Sequence, residues 1–399
     1  MHRPRRDWSW TGELSGALGD LGTTLPLAWA LAVGAGFPAG RLLLVWGLAY
    51  LATAALYRLP VSVQPLKAMA VIVIGLSLPP GTVAAAAVLY GAVLLVIGAT
   101  GAVEAVARLF SPALVRGVQL GIGLMLLRKA ASLAWRHPLV LGHGAPGPLG
   151  PALAVIAGLA LWALVRSRGR GVLPAVLAGG VALALLAGGN ITGAATGGTA
   201  PTAPLAWRWP DLAGWTALVP LLILPQLPLT LGNAVIAADD ACHLLWGGRA
   251  ARVSRRRLAC SIGLLDVACG VLGGFPVCHG AGGIAAHHRF GARTWRAPVA
   301  VGLLLVAAGL APGAAGVLLR LPVPLLAAML GLVSLSLVGL LARLDTAGEL
   351  AVAVTVGGLG LLTRNLTVAV LAGFALERLL RRTRLPALPN PWPTPEEPS

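Results

Sequence analysis

Lys67 lies in the stretch Pro60-Val-Ser-Val-Gln-Pro-Leu-Lys67, followed by Ala-Met-Ala-Val-Ile-Val-Ile74, so an ammonium group interrupts an apolar run already broken by two prolines. A charge at bilayer depth costs roughly 3 kcal/mol or more, and a residue that carries one is read first as functional. The chain has 30 basic residues but only two lysines, Lys67 and Lys129, so drift towards arginine does not account for a lysine here. The plainer alternative is a side chain that snorkels from a span end. A second broken segment, Pro276-Val-Cys-His-Gly-Ala-Gly-Gly283, occupies the matching place in the other half of the chain. Pro65 lacks an N–H and suits a first helical turn, which predicts extended chain over 60–64 and a half-helix starting near Pro65. Gly280, Gly282 and Gly283 let backbone N–H groups approach a ligand closely. Two half-helix N-termini, each carrying roughly half a positive charge, would then face each other with Lys67 and His279 beside them. Such a site suits a small anion with acceptors in several directions.

Acidic residues are scarce, at 13 Asp plus Glu. Asp20, inside the first apolar run beside Gly19 and Gly22, is the leading proton carrier, because burial drives a carboxyl towards holding its proton. Asp266 and Asp239 are the further candidates, and a structural contact to a neighbouring helix is the competing reading for Asp20. Asp239 and Asp240 are placed at the end of the eighth apolar run. His287 and His288 beside Arg289 read as a solvated span end. The cysteines Cys242, Cys260, Cys269 and Cys278 form no C-x-x-C pair, so they read as apolar residues rather than a disulfide or zinc framework. A dry four-ligand metal site is hard to build from one short segment, so neither metal nor cofactor is expected. No Walker motif is present, which argues against ATP hydrolysis by this chain.

The elements that must hold these groups are set by composition. Hydrophobic residues make up 57% of the 399 residues and charged ones 11%, with 53 Gly and 30 Pro. Apolar runs on that scale span a bilayer, and glycine and proline are tolerated there. The reading is an all-α polytopic membrane protein of about fourteen spans of roughly 17 to 25 residues each. Net charge is +17, yet the arginines follow topology rather than a nucleic-acid surface. With the N-terminus inside, most fall on the cytoplasmic side, including Arg3, Arg5, Arg6, Arg116, Arg166, Arg249, Arg252, Arg255 to Arg257, Arg343 and Arg378. That asymmetry predicts a multi-pass protein of the cell membrane with both termini cytoplasmic. The acids Glu13 and Asp20 interrupt the first apolar run, which is too long for a cleaved signal peptide. Paired short, broken segments in corresponding halves point to a transporter site at the membrane midplane. An odd number of spans per half inverts the second repeat relative to the first, which gives a 7+7 inverted repeat.

Four blocks in order carry a family resemblance: Gly12-Glu-Leu-Ser-Gly-Ala-Leu-Gly-Asp-Leu-Gly-Thr-Thr-Leu-Pro26, the Lys67 block, Leu224-Pro-Gln-Leu-Pro-Leu-Thr-Leu-Gly-Asn-Ala-Val-Ile-Ala237 and Phe275-Pro-Val-Cys-His-Gly-Ala-Gly-Gly283. Together they resemble the molybdate transporter family, which is related to the sulfate permeases. The resemblance implies a core domain over residues 12–109 and 216–319 and a gate domain over 110–215 and 320–385. Residues 1–11 and 386–399 read as a cytoplasmic N-terminal tail and a disordered C-terminal tail. It also implies substrate contacts from Gln64, Lys67, His279, Gly280 and Gly282. Gln226, Asn233, Thr23 and Thr24 would supply further hydrogen bonds, with ordinary polar helix contacts as their alternative.

Importing a dianion against about 100 mV costs on the order of 4.6 kcal/mol, so protons are the natural co-substrate. The expected function is secondary active import of a tetrahedral oxyanion, molybdate first and sulfate second. A related nucleobase permease, an anion channel and, more distantly, a membrane-embedded enzyme are the competing classes. The expected partners are the oxyanion, protons and the lipid bilayer, with no nucleic acid, and a homodimer stays open.

Overall fold

The protein is described from a computed structural model that covers residues 9–139, 147–166, 179, 182, 209–311, 314–318 and 321–380. Residues 167–178, 180–181 and 183–208, where the fourteen-span reading needs its seventh span, and the C-terminal tail lie outside the described residues. The N-terminal tail is shorter than expected. Ser9 caps helix α1 (Trp10–Ala35) by accepting a hydrogen bond from the Gly12 N–H at 3.0 Å, so order begins before residue 12.

The chain then runs through α2 (Ala39–Tyr57), a two-residue strand β1 (Gln64–Pro65), α3 (Lys67–Leu76) and α4 (Pro80–Thr100). A short α5 (Val103–Ala107) leads to α6 (Pro112–Arg136) and α7 (Leu149–Arg166). After the undescribed stretch come α8 (Trp215–Ala250), α9 (Arg255–Leu272), strand β2 (Val277–Cys278) and α10 (Ala281–Arg289). The described chain closes with α11 (Arg296–Leu310), α12 (Ala314–Leu318), α13 (Val323–Arg343), α14 (Ala347–Thr363) and α15 (Leu366–Leu380). Among the described residues, α1, α2, α4, α8 and α13 are each long and apolar enough to cross a membrane.

Both broken segments have the same build, an extended residue pair feeding a short helix. β1 and β2 pair antiparallel, with Gln64 opposite Cys278 and Pro65 opposite Val277. The half-helix starts at Lys67 rather than Pro65, because Pro65 enters the ladder and Leu66 donates its N–H to the Pro276 carbonyl at 3.1 Å. The eighth span also runs on past Asp239 and Asp240 to Ala250. Those acids sit on the outer face of a helix whose other face buries Ala238, Cys242 and Trp246, so they do not end it. Pro220, Pro225 and Pro228 lie in or beside its upper part, which winds as π-helix over Val219–Ile223 and Thr230–Ile236. Proline removes ladder donors, and wider turns accommodate the loss.

Small residues let the long helices approach. α4 lies against α9 where a Cβ on Gly91 would come within 2.5 Å of the Gly263 carbonyl, and α2 lies against α11 where one on Gly47 would come within 2.8 Å of the Gly302 carbonyl. α6 packs against α13 and α14, α7 against α13, and α15 against α14. α3 and α8 also touch α6, and α3 and α10 carry the broken segments.

Candidate functional site

A cavity of about 640 Å³ opens where the broken segments, α8, α6 and α13 meet. Lys67, Cys278, Ala281 and Gly282 form one wall, Gln226 and Asn233 a second, and Arg116, Gln119 and Arg343 the side towards α6 and α13. Lys67 is half-buried and is the first residue of α3. Helix geometry leaves first-turn N–H groups without an intrahelical acceptor. In α3 the first such bond runs from Ala70 N–H to the Leu66 carbonyl at 2.8 Å, so the N–H groups of Lys67 and Ala68 precede it. In α10 the Gly283 and Ile284 N–H groups both reach the Gly280 carbonyl, at 3.0 and 3.2 Å, so those of Ala281 and Gly282 precede the ladder. A Cβ on Gly282 would meet nothing within 4 Å, so the backbone there is open to the cavity. Lys67 and the two N-termini therefore converge as donors and positive potential on one space.

The other expected residues divide between lining and support. Gln226 borders the cavity, but its Oε1 accepts from the Met69 N–H at 3.1 Å and its Nε2 donates to Thr230 Oγ1 at 3.1 Å. Its amide thus caps α3. Asn233 lies half-buried in the second π segment and faces the same space. Gly280 precedes α10, and a Cβ there would come within 2.5 Å of Gln64 Oε1, so the backbone pair needs glycine. His279 is fully buried behind the wall and is not among the lining residues. Its Nδ1–H donates to the Ser62 carbonyl at 2.9 Å, Ser261 Oγ lies 2.9 Å from its Nε2, and its ring meets Tyr57 edge-on at 5.6 Å. Ser62 Oγ donates in turn to the Gly280 carbonyl at 2.8 Å, so this cluster ties the two broken segments together.

Asp20 occupies a second, closed cluster. Its Oδ2 accepts from Tyr50 Oη at 2.5 Å, its Oδ1 accepts from Gln64 Nε2, and His287 Nε2 lies 3.7 Å from Oδ2. Asp20 and His287 are both fully buried. The expectation of a solvated span end fails for His287, whose Nδ1–H donates to the Gly16 carbonyl at 2.8 Å. The cause is α1: a Cβ on Gly19 would lie 2.6 Å from Phe290 and one on Gly16 2.7 Å from the His287 carbonyl, so α10 and the turn after it press onto α1. His288 stays half-buried against Trp246.

Asp266 is also fully buried, and its Oδ1 accepts from the Val277 N–H at 2.7 Å, which fixes β2. Asp239 lies away from the cavity, 3.4 Å from Arg255 Nε and 3.3 Å from His243 Nδ1. Thr24 is buried without lining the cavity, and the side chain of Thr23 lies outside the described residues.

Sequence reading missed Arg116, Gln119 and Arg343 as cavity residues, having counted the two arginines only as topology markers. Arg116 donates to Gln119 Oε1 at 2.8 Å, and that spacing of three on one span is a signal that was available. It also missed Tyr50 and Tyr57; the chain has three tyrosines, and all three are fully buried. A buried phenol in an apolar run asks for a polar partner, which is the clue to both clusters.

Comparison with known proteins gives the family and the fold. The family model described as "Molybdate transporter of MFS superfamily" matches residues 12–126 and 219–337, which hold every cavity residue named above except Arg343. Molybdate transporter 1 of Chlamydomonas reinhardtii is 29% identical, with 82% of this chain and 83% of the relative aligned. Molybdate transporter 2 of Arabidopsis thaliana is 28% identical over 76% and 72% of the two chains. In fold, the chain is similar to the transmembrane domain of the cyanobacterial bicarbonate transporter BicA, at TM-score 0.61 and 17% identity over 92% of this chain and 98% of that one. It is also similar to murine Slc26a9, an anion transporter, at TM-score 0.67 and 15% identity over 95% and 69%. With several helices of spanning length and this family match, the chain is a multi-pass membrane protein that belongs to the molybdate transporter family.

Proposed function

We propose that the protein is a secondary active carrier that brings a tetrahedral oxyanion into the cell, molybdate foremost, with sulfate as the competing substrate of like charge and shape. The observation that carries this reading is the convergence of Lys67 and the open first turns of α3 and α10 on one cavity. A tetrahedral dianion presents acceptor oxygens in four directions. The Lys67 ammonium, the Lys67 and Ala68 N–H groups, the Ala281 and Gly282 N–H groups and the Asn233 amide would each take one direction. Gln226, His279, Asp266 and Gln64 hold these donors in place.

The names of the similar molybdate transporters favour molybdate among oxyanions. The cavity wall with Arg116 and Arg343 belongs to the side that the arginine distribution assigns to the cytoplasm, so the described state opens inward. Alternating access follows if α1 to α4 and α8 to α11 move as a core against a gate of α6, α7 and α13 to α15. Reciprocal packing supports an inverted repeat of seven spans each: α2 on α11 in one direction, α9 on α4 in the other, with β1 against β2 at the centre. Proton coupling supplies the energy, with Asp20 as the leading group, since a dianion entering against about 100 mV opposes roughly 4.6 kcal/mol.

Uptake into proteoliposomes of purified protein, with radiolabelled molybdate and unlabelled sulfate, uracil and chloride as competitors, tests this reading. Saturable accumulation displaced by molybdate and sulfate and not by uracil is the expected result. Displacement by uracil alone, or flux without accumulation, would replace it with a nucleobase permease or a channel.

A further inference from the structure

Behind the anion-facing turn of α10 lies a buried acid–base pair that the transport reading does not use in full. His287 Nδ1 faces the Gly16 carbonyl at 2.8 Å, and a carbonyl only accepts, so that nitrogen carries the hydrogen. The neutral ring therefore presents the bare lone pair of Nε2, which has no hydrogen-bond partner, to Asp20 Oδ2 at 3.7 Å. Asp20 Oδ2 is also held by the Tyr50 hydroxyl at 2.5 Å, which fixes the carboxylate from the other side. Both members of the pair are fully buried.

We propose that His287 and Asp20 together form a proton-binding site whose occupancy is linked to oxyanion binding. The proposal rests on the oxyanion-carrier reading and deepens it. A proton that adds to His287 Nε2 breaks no other bond, closes the gap to Asp20 Oδ2 and takes the pair from one negative charge to none. The link to substrate is short. A Cβ on Gly283 would lie 2.6 Å from Asp20 Oδ1, and Gly283 follows Gly282 on the cavity wall. An ionised carboxylate behind the turn that receives the dianion opposes it; the bound proton removes that opposition. Reciprocity then requires the anion to strengthen proton binding by the same factor.

The surrounding charged groups are otherwise engaged. α10 packs against α1 and the lower part of α8. On α1, Glu13 accepts from the Arg293 N–H at 3.0 Å, and on α8 the groups are Asp239 and Asp240 with Arg255, His243 beside Asp239, and the buried Cys242. On α10 itself, His288 lies against Trp246 and Arg289 is exposed. Among the described residues, Tyr50 of α2 and Gln64 of β1 also reach Asp20, and neither is charged.

The test uses full-length protein in proteoliposomes and His287→Gln, which keeps a polar side chain but cannot take up a proton. Wild type should concentrate molybdate down an inward proton gradient and bind it about tenfold more weakly as pH rises from about 5.5 to about 8. His287→Gln should exchange internal for external molybdate, fail to concentrate it, and bind it with less than about threefold pH dependence. A His287→Gln carrier that still concentrates molybdate with the wild-type pH profile overturns the proposal. Nitrogen NMR of histidine-labelled wild type in lipid gives a readout that needs no transport. A His287 Nε2 that gains a proton over this pH range, and does so at lower pH in Asp20→Asn, supports the site; one that stays unprotonated throughout overturns it. If wild type shows no molybdate exchange at any pH, the carrier reading fails, and the NMR result decides the proton site alone.

Discussion

The two sides of the first turn of α10 differ in charge and in access. Towards the cavity lie an ammonium group, two helix N-termini and an open glycine backbone, all donors and all reachable. Away from it lie a carboxylate, a phenol and an imidazole, packed without solvent. A thin wall of glycine separates them, so charge placed on one face is felt on the other without contact. Under the proposed mechanism, that juxtaposition would let the protein hold a dianion on one side and a proton on the other.

Disturbing the wall should have the largest effect. Gly283→Val would drive a side chain into Asp20, Gln64 and Ser62, each within 2.6 Å of the added Cβ, so both faces are lost together. Overpacking of this kind costs about 1–3 kcal/mol, and thermal unfolding in detergent should show a lowered Tm with no measurable molybdate binding. A stable, binding-competent Gly283→Val would mean the two faces are not coupled through this turn. His279→Ala should separate stability from binding. It leaves the Ser62 carbonyl without its donor and so costs about 1–3 kcal/mol of stability, while affinity changes less than about threefold because His279 does not line the cavity. A large affinity loss at unchanged Tm would return His279 to the substrate. The smallest change in free energy is expected at Asn233→Ala, which should leave Tm unchanged while loss of one neutral hydrogen bond weakens binding by about threefold to tenfold, measured by calorimetry.

Much of the cavity face was legible because its signals are local. Lys67 among apolar residues, the glycines of 280–283 and the prolines of 60–65 each state a backbone or charge requirement in a few residues. Helix existence was legible for the same reason, since apolar runs of spanning length are a property of one segment. The closed face was not. His287 sits beside His288 and Arg289 in sequence and looks like a span end, yet α1 covers it through Gly16 and Gly19 from some 270 positions away, as in the bond from His287 to Gly16 with a separation of 271. Which helix face a polar residue turns to is decided by such long-range packing. For the same reason His279 read as a ligand beside the donors and stands as a brace behind them. The extension of α8 past Asp239 escaped because two acids usually mark an interface, whereas here Arg255 from the next helix meets them.

In the proposed mechanism Lys67 supplies the side-chain cation at the meeting of α3 and α10, where an oxyanion binds, while Arg116 and Arg343 lie on the side towards α6 and α13. Equilibrium binding of molybdate to purified wild type and to Lys67→Gln, with Tm measured on the same samples, tests it most directly. A charge-assisted contact is worth about 1.5–3 kcal/mol, so Lys67→Gln should bind molybdate about ten- to a hundredfold more weakly at an unchanged Tm. Wild-type affinity in a folded Lys67→Gln protein would contradict the account.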